Sequence, residues 1–180
     1  MIARIIIMAL LASALAAGGL MYYQQVYAYY DEITVAEDRS VQMTLLAYEM
    51  PEDILFEDFQ GIDADSSPLR YRACFQTPDS HAMLTETYVI VDDAEPRVAP
   101  RWFDCFDATE IGEAIEDGSA IVFLGTRNIE YGIDRVVAVM DDGRGFVWHQ
   151  INECGEVVFD GNPVPENCPP QPQPDAEGDN

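Results

Sequence analysis

Two apolar runs, Arg135-Val-Val-Ala-Val-Met140 and Phe146-Val-Trp-His-Gln-Ile151, flank the short segment Asp141-Asp-Gly-Arg-Gly145. Both runs are rich in the β-branched and aromatic residues that strands prefer. An Asp-Gly pair between two such runs is typical of a tight turn, because glycine adopts a positive φ without steric cost. The sequence therefore predicts an antiparallel β-hairpin over residues 135–151.

Further short strands are predicted on both sides of this hairpin. They lie at residues 41–46, 54–59, 69–75, 87–91, 120–124 and 157–159. One helix is predicted to begin at a capping box formed by Asp107 and Glu110 and to end at Gly118. Short strands with one or two short helices predict an α+β fold built on an antiparallel sheet.

The strand predicted at residues 69–75 carries the candidate binding residues. Apolar residues alternate there with Arg70 and Arg72, which places both arginines on the sheet face opposite Tyr71. Two neighbouring guanidinium groups are suited to a carboxylate or phosphate ligand, and Trp148 and Trp102 could wall such a site. The alternative is cross-strand pairing of the arginines with Asp or Glu. Replacing both arginines with alanine should hardly change the melting temperature if they bind a ligand.

The N-terminal segment Ile5–Tyr23 is apolar and uncharged. As a helix it spans ~28 Å, close to the thickness of a bilayer's hydrocarbon core. Arg4 precedes it, so the N-terminus is predicted to stay in the cytoplasm, and the tyrosines between Tyr22 and Tyr30 suit a membrane–water interface. The alternative is a signal peptide cleaved after Ala14-Leu15-Ala16. The apolar run continues past that point, which favours an uncleaved anchor.

The chain is predicted to have three parts. Residues 1–30 form a membrane anchor with a tyrosine-rich interfacial end, and residues 31–162 form a periplasmic α+β domain. Residues 163–180 form a proline-rich acidic tail that is disordered beyond Cys168. The predicted location is the inner membrane, with a single pass and the domain in the periplasm.

All the cysteines follow the apolar run, as expected for an exported protein. They are Cys74, Cys105, Cys154 and Cys168. An even number in an oxidising compartment predicts two disulfides. Of the three possible connectivities we favour Cys74–Cys105 and Cys154–Cys168, because each closes a modest local loop worth roughly 3–4 kcal/mol on the loop-entropy model. The sequence has no C-x-x-C spacing, which argues against a zinc ribbon or a thioredoxin-like site.

The composition excludes several classes of function. The chain has 33 acidic and nine basic residues, all nine of them arginine, for a net charge of −24. Without lysine it lacks the residue that a P-loop, a protein-kinase site or a pyridoxal Schiff base requires. The strong acidity argues against nucleic-acid binding and against a polybasic surface that binds lipid.

The two histidines show no catalytic or metal-binding pattern. His149 shares a strand face with Val147 and Ile151, which is typical of a core or interface position. His81 is predicted to lie in a loop, and its spacing to Met83 is a poor basis for a Cu(I) site. The sequence thus predicts no catalytic residue, no metal site and no cofactor, and it favours a protein that is not an enzyme.

Four segments of the chain carry a family resemblance. They are Ile62-Asp-Ala-Asp-Ser-Ser-Pro-Leu-Arg-Tyr-Arg-Ala-Cys-Phe75, Trp102-Phe-Asp-Cys-Phe-Asp-Ala108, Tyr131-Gly-Ile-Asp-Arg-Val-Val-Ala138, and Trp148-His-Gln-Ile-Asn152 with Cys154-Gly-Glu156. They resemble an uncharacterised family of N-terminally anchored envelope proteins from Rhodobacter-type alphaproteobacteria. The resemblance extends from the anchor to Cys168 and implies a domain of unknown function. It carries no catalytic residues.

The sequence does not support a histidine kinase activity. Such a kinase needs a phospho-accepting histidine on a long dimerising helix and a glycine-rich nucleotide lid in the cytoplasm. Only Met1 to Arg4 precede the predicted membrane segment, which leaves no room for either part on that side.

The predicted role is binding. The chain is expected to serve as an accessory or assembly partner of an envelope complex, with an inner-membrane or periplasmic protein as its partner. The second hypothesis is a sensor ectodomain that binds a small ligand or anion through Arg70 and Arg72, and the third is an unrecognised hydrolase. A flat apolar patch favours the first hypothesis, whereas a deep pocket with convergent polar groups favours the second or the third.

The anchor prediction can be checked by fractionation. Full-length protein should remain in the membrane pellet after a carbonate wash, because an inserted apolar helix resists alkaline extraction. Recovery of a soluble form that begins near Ala17 or Gly18 would instead identify a cleaved signal peptide.

Overall fold

β7 (Ile133–Met140) and β8 (Arg144–Ile151) form the predicted antiparallel hairpin in the computed structural model, which describes residues 2–33 and 41–172. Gly143 lies in the turn with φ 85°. A Cβ at Gly143 would collide with the carbonyl of Thr77, whose amide donates to the Gly143 carbonyl at 2.9 Å. The hairpin prediction is confirmed, and the turn needs glycine both for its conformation and for this close contact.

The remaining elements surround this hairpin. In chain order they are α1 (Ile2–Tyr23), a π-helical segment (Gln24–Ala28), β1 (Asp31–Ile33), β2 (Gln42–Thr44), β3 (Pro51–Asp53), β4 (Glu57–Asp63), a 3₁₀ helix (Pro68–Arg70), β5 (Arg72–Gln76), α2 (His81–Thr87), α3 (Ala108–Asp117), β6 (Ala120–Glu130) and α4 (Glu153–Phe159). Residues 160–172 contain no helix or strand. The predicted disorder beyond Cys168 falls mainly on residues 173–180, outside the described residues. The predicted division at residues 30 and 162 stays a prediction.

The main sheet has six strands in the order β1-β4-β5-β8-β7-β6, and every neighbouring pair is antiparallel. β2 and β3 form a separate antiparallel ladder. The predicted α+β class with an antiparallel sheet is therefore confirmed. The N-terminal helix enters this architecture at β1, which is one edge of the sheet.

Both faces of the sheet are buried, and β5 contributes side chains to each. Ala73 and Phe75, together with Tyr71 just before the strand, pack on one face, in a cluster that also includes side chains from β2 and α2. Cys74 packs on the other face, in a cluster with Trp148 and with side chains from α3. Burial on both faces explains why the hairpin runs are almost continuously apolar rather than alternating.

The helix α3 begins and ends at the predicted residues. Asp107 Oδ1 accepts hydrogen bonds from the backbone N–H groups of Thr109 and Glu110, at 2.9 and 3.3 Å. Gly118 ends the helix with φ 81°. The Glu110 carboxylate forms an ion pair with Arg144 at 2.8 Å, so it ties α3 to the start of β8.

The strand predicted at residues 69–75 begins later than expected. Ser67 Oγ accepts from the Leu69 amide at 3.3 Å, and Pro68 occupies the first position of a 3₁₀ helix. The ladder therefore starts at Arg72. Arg72 faces the cluster opposite Tyr71, as predicted, but Arg70 lies in the 3₁₀ helix and does not share that strand face.

Three other strand predictions need correction. Residues 157–159 belong to α4, because Asn152 Oδ1 accepts from the Gly155 amide at 3.0 Å and caps a helix there. In the segment 54–59 the strand β4 starts only at Glu57, while residues 51–53 pair with β2. The segment 87–91 contributes isolated bridges rather than a full strand, and it follows the helix α2, which was missed.

Two disulfides close loops within the domain. Cys74 in β5 is bonded to Cys105, which precedes α3, and Cys154 in α4 is bonded to Cys168. This is the predicted pairing. Each bond fixes a segment that has no sheet partner of its own.

The contact between Gly132 and Gly155 yields a stability prediction. Gly132 has φ 80°, and a Cβ there would collide with the Gly155 backbone. Gly132→Ala should therefore lower the free energy of unfolding by roughly 2–5 kcal/mol, combining strain with overpacking. Gly118→Ala is the matched control, because Gly118 has φ 81° and open space around it. It should cost about 1–2 kcal/mol.

Chemical denaturation of the detergent-solubilised full chain measures both values. Equal losses for Gly132→Ala and Gly118→Ala would show that the packing of α4 on the turn between β6 and β7 does not constrain the fold.

Candidate functional site

The end of the N-terminal helix packs against the folded domain. The Trp102 indole N–H donates to the carbonyl of Val26 at 2.6 Å. The Trp102 ring stacks on Tyr27, with ring centroids 6.3 Å apart, and meets Tyr30 edge-on at 6.1 Å. The last carbonyls of a helix lack intrahelical donors, so the indole satisfies a group that would otherwise need water.

Arg70 adds further contacts to the residues that follow the N-terminal helix. Its guanidinium lies 5.8 Å from the ring centroid of Tyr29 and 5.7 Å from that of Tyr30. Cation–π contacts of this kind contribute about 0.5–1 kcal/mol each at exposed sites. We call the set formed by Val26, Tyr27, Tyr29, Tyr30, Arg70 and Trp102 the collar.

Arg72 lies deep in the domain, with 4% of its surface exposed. Its Nε donates to the Arg97 carbonyl at 2.9 Å, and its Nη1 donates to the carbonyls of Leu69 and Tyr71 at 2.9 and 2.6 Å. Loss of solvent lowers the pKa of Arg72 to about 10, which still leaves the group charged at neutral pH. The guanidinium thus ties the 3₁₀ helix and β5 to the segment around Arg97.

Trp148 is fully buried and stands opposite Arg72 in the β5–β8 register. Its ring meets Phe106 edge-on at 6.3 Å, and the Arg72 guanidinium lies over the same Phe106 ring at 5.7 Å. Among the described residues the Trp148 indole N–H has no hydrogen-bond partner. The structure therefore brings Arg72 and Trp148 together inside the core, and it places Arg70 apart from them in the collar. A ligand-binding role for these three side chains stays a prediction.

Both histidines have structural contacts. His149 Nδ1 is 2.6 Å from the Pro68 carbonyl and donates to it, because Nε2 accepts a hydrogen bond from Arg135 Nε at 2.9 Å. A ring that donates at one nitrogen and accepts at the other is neutral. The imidazole stacks on the ring of Tyr71, with ring centroids 4.8 Å apart. His81 begins α2 and contacts the Val139 carbonyl at 2.8 Å. Its predicted place in a loop is wrong, because Ser80 caps a helix there.

A cleft of about 630 Å³ opens beside β8 and α4. Five acidic residues and a single arginine are among its lining residues: Asp92, Asp93, Asp134, Glu153, Glu156 and Arg127. At its base Asp134 Oδ1 accepts from the Asn128 amide at 2.8 Å and from Asn152 Nδ2 at 2.6 Å. Since these groups satisfy one another and the rim is acidic, the cleft does not suit an anion.

An exposed apolar turn joins β2 to β3. Leu46, Tyr48 and Met50 all project into solvent there, and 75% of Tyr48 is exposed. The base of the turn is held firmly, because Thr44 Oγ1 donates to the Gly125 carbonyl at 2.8 Å. The sequence prediction missed this turn, although three large apolar side chains between two short strands were a visible signal.

Within residues 2–33 and 41–172, no group of three or more His, Cys, Asp or Glu side chains is arranged to hold a metal ion. One apolar helical stretch, Ile2–Ala28, is long enough to cross a membrane, since 27 residues span ~40 Å. Two disulfides indicate an oxidising compartment.

These features define a class of protein: a small α+β domain with two disulfides, joined through a packed collar to an apolar N-terminal helix. Residues 41–169 match the family model described as a family of unknown function, DUF6446. The match covers more than half of the chain, so the chain belongs to this family. The chain matches no curated protein and no solved structure. Membership of an uncharacterised family is thereby confirmed, whereas the Rhodobacter-type group and the envelope anchoring stay predictions.

Separate substitutions of the two arginines test their roles. Arg72→Met keeps an apolar stem but leaves buried carbonyls without a donor, so it should lower the free energy of unfolding by roughly 2–4 kcal/mol. Arg70→Met removes the two cation–π contacts with Tyr29 and Tyr30 and should cost at most about 1–2 kcal/mol. Thermal and chemical denaturation of the full chain in detergent measure both effects. An Arg72→Met protein as stable as wild type would return Arg72 to the list of ligand-binding candidates.

Proposed function

We propose that this chain is a membrane-anchored periplasmic binding protein that serves as an accessory or assembly partner of an envelope complex. In this proposal α1 crosses the inner membrane once, with its N-terminus in the cytoplasm, and is not cleaved. The collar is the observation that carries the proposal. It holds the helix end against the domain through the Trp102–Val26 hydrogen bond and through stacked aromatic rings.

A helix that continues past the alternative cleavage site supports a permanent anchor rather than a signal peptide. Cleavage after Ala16 would divide α1 (Ile2–Tyr23) and leave its apolar second half, together with the collar, on the mature domain. Here the π-helical segment Gln24–Ala28 continues α1 directly, and β1 joins the sheet edge only two residues after Tyr29. The domain is therefore held in one orientation relative to the helix, as a partner in the same membrane would require.

The exposed turn between β2 and β3 supports the binding role. Apolar side chains clustered on a surface are costly to leave in water, and such clusters commonly mark protein–protein contacts. Tyr48 is an amphipathic aromatic residue of the kind enriched in interfaces. The fixed base of the turn at Thr44 means that little conformational entropy is lost when a partner binds.

Native gel electrophoresis of the full-length protein, solubilised in a mild detergent, tests the proposal. Wild type should migrate in an assembly with other envelope proteins. The triple variant Leu46→Ser, Tyr48→Ser and Met50→Ser should migrate as the free protein while keeping the wild-type melting temperature. Leu55→Ser is the matched control, because Leu55 is 69% exposed but lies in the segment between β3 and β4.

Two results would contradict the proposal. A wild-type chain that migrates alone under conditions that preserve other membrane complexes has no stable partner. An assembly that Leu55→Ser dissociates while the triple variant does not would move the partner surface away from the turn between β2 and β3.

A further inference from the structure

The segment between Pro96 and Phe103 differs in charge from the rest of this acidic chain. It contains Arg97 and Arg101 and no acidic residue, whereas the whole chain carries a net charge of −24. Both arginines are exposed, and Val98 between them is 82% exposed. An almost fully exposed branched aliphatic residue flanked by two cations is a combination typical of membrane-surface segments.

The backbone of this segment is fixed in place. Arg72 donates to the carbonyls of Arg97 and Val98, at 2.9 and 3.4 Å. The Phe103 amide donates to the Pro100 carbonyl at 2.9 Å, and the disulfide from Cys105 holds the following residues to β5. The exposure of Val98 is thus a feature of a braced loop.

The segment also lies next to the end of the N-terminal helix. Trp102, which closes the segment, is bonded to the Val26 carbonyl and stacks on Tyr27. Arg70 adds a third guanidinium nearby, over the rings of Tyr29 and Tyr30. If α1 spans the bilayer, these residues stand at the level where tyrosine, tryptophan and arginine side chains meet lipid headgroups.

We propose that the loop Arg97–Arg101 is a docking surface for the anionic lipid headgroups of the membrane that holds α1. Val98 inserts at the boundary between headgroups and acyl chains, and Arg97 and Arg101 bind lipid phosphates. The inference rests on the proposed function in one respect, namely that α1 crosses the membrane.

Charge complementarity and continuity with the helix end favour lipid over a protein as the occupant. The net charge is an average over the whole chain, and it hides this local reversal. Glu95 and Asp104 flank the segment. Their repulsion from an anionic surface confines the contact to the loop between them, because such interactions decay within a Debye length of about 8 Å in physiological salt.

A single fluorescent probe tests the proposal in the full-length chain. All four native cysteines are in disulfides, so Val98→Cys introduces the one reactive thiol, which is labelled with an environment-sensitive dye. The protein is reconstituted in vesicles of phosphatidylcholine alone or mixed with phosphatidylglycerol. In the mixed vesicles the dye should shift to shorter wavelength and be quenched by lipid-borne quenchers. Leu55→Cys, at a site that is 69% exposed, is the control and should report water in both cases.

Charge reversal tests the arginines separately. Adding Arg97→Glu and Arg101→Glu to the Val98→Cys protein should abolish the phosphatidylglycerol-dependent shift, and raised salt should weaken the shift in the unaltered loop. An aqueous spectrum in both vesicle types would overturn the proposal. So would a Val98 probe that is shielded only when a partner protein co-purifies, since the occupant would then be protein.

A carbonate wash of the same vesicles separates this proposal from the proposed function. If the chain is extracted, the anchor hypothesis fails. If the chain is retained but the Val98 probe reports water, the anchor stands and the lipid contact of the loop is wrong.

Discussion

The buried guanidinium of Arg72 is the interaction on which the arrangement of the domain around the collar depends. Its charge has little access to water, so the carbonyls of Leu69 in the 3₁₀ helix, of Tyr71 just before β5, and of Arg97 take the place of solvent. If any of these segments moved away, the charged guanidinium would lose a carbonyl acceptor while it stayed in an apolar environment. Two residues further along β5, Cys74 holds Cys105 by a disulfide. Together the two residues brace the loop that presents Trp102 to the N-terminal helix.

Features with strong local signals could be predicted from the sequence. The Asp-Gly pair predicted the hairpin, and Asp107 and Gly118 predicted the two ends of α3. The short loops between successive cysteines predicted the disulfide pairing. The failures at residues 157–159 and 69–70 have a common cause. The short apolar pattern in each segment is compatible with a strand, whereas Asn152 and the pair Ser67-Pro68 are local capping signals for helical turns. The packing of Gly155 on Gly132, which fixes α4, depends on residues distant in the chain and has no local signature.

The candidate site was harder to predict, because the residue type of an arginine does not specify which groups its guanidinium contacts. The sequence offered Asp, Glu or a ligand as counterparts for Arg70 and Arg72. The structure gives Arg72 main-chain carbonyls and gives Arg70 the faces of two tyrosine rings. The tyrosine cluster and Trp102 were both recognisable in the sequence, but only the fold shows that they meet. The prediction assumed a strand from residue 69, so alternation placed the two arginines on one face. In the structure a single turn of 3₁₀ helix separates Arg70 from the strand face of Arg72.

If α1 anchors the domain as proposed, the distribution of charge and apolar surface has a consequence for how the domain faces the membrane. A uniformly acidic domain would be repelled by an anionic bilayer in every orientation, whereas a basic loop beside the helix end makes one orientation favourable. The helix enters at β1, and β2 is attached to β6 at the opposite edge of the sheet. Five strand spacings separate those edges, or roughly 24 Å. In the proposed arrangement the loop at Val98 therefore faces lipid while the turn carrying Tyr48 stands well away from the collar. Membrane contact and partner binding then occupy different surfaces. Because the acidic surface is repelled by an anionic bilayer and the basic loop is attracted to it, the charge distribution orients the domain.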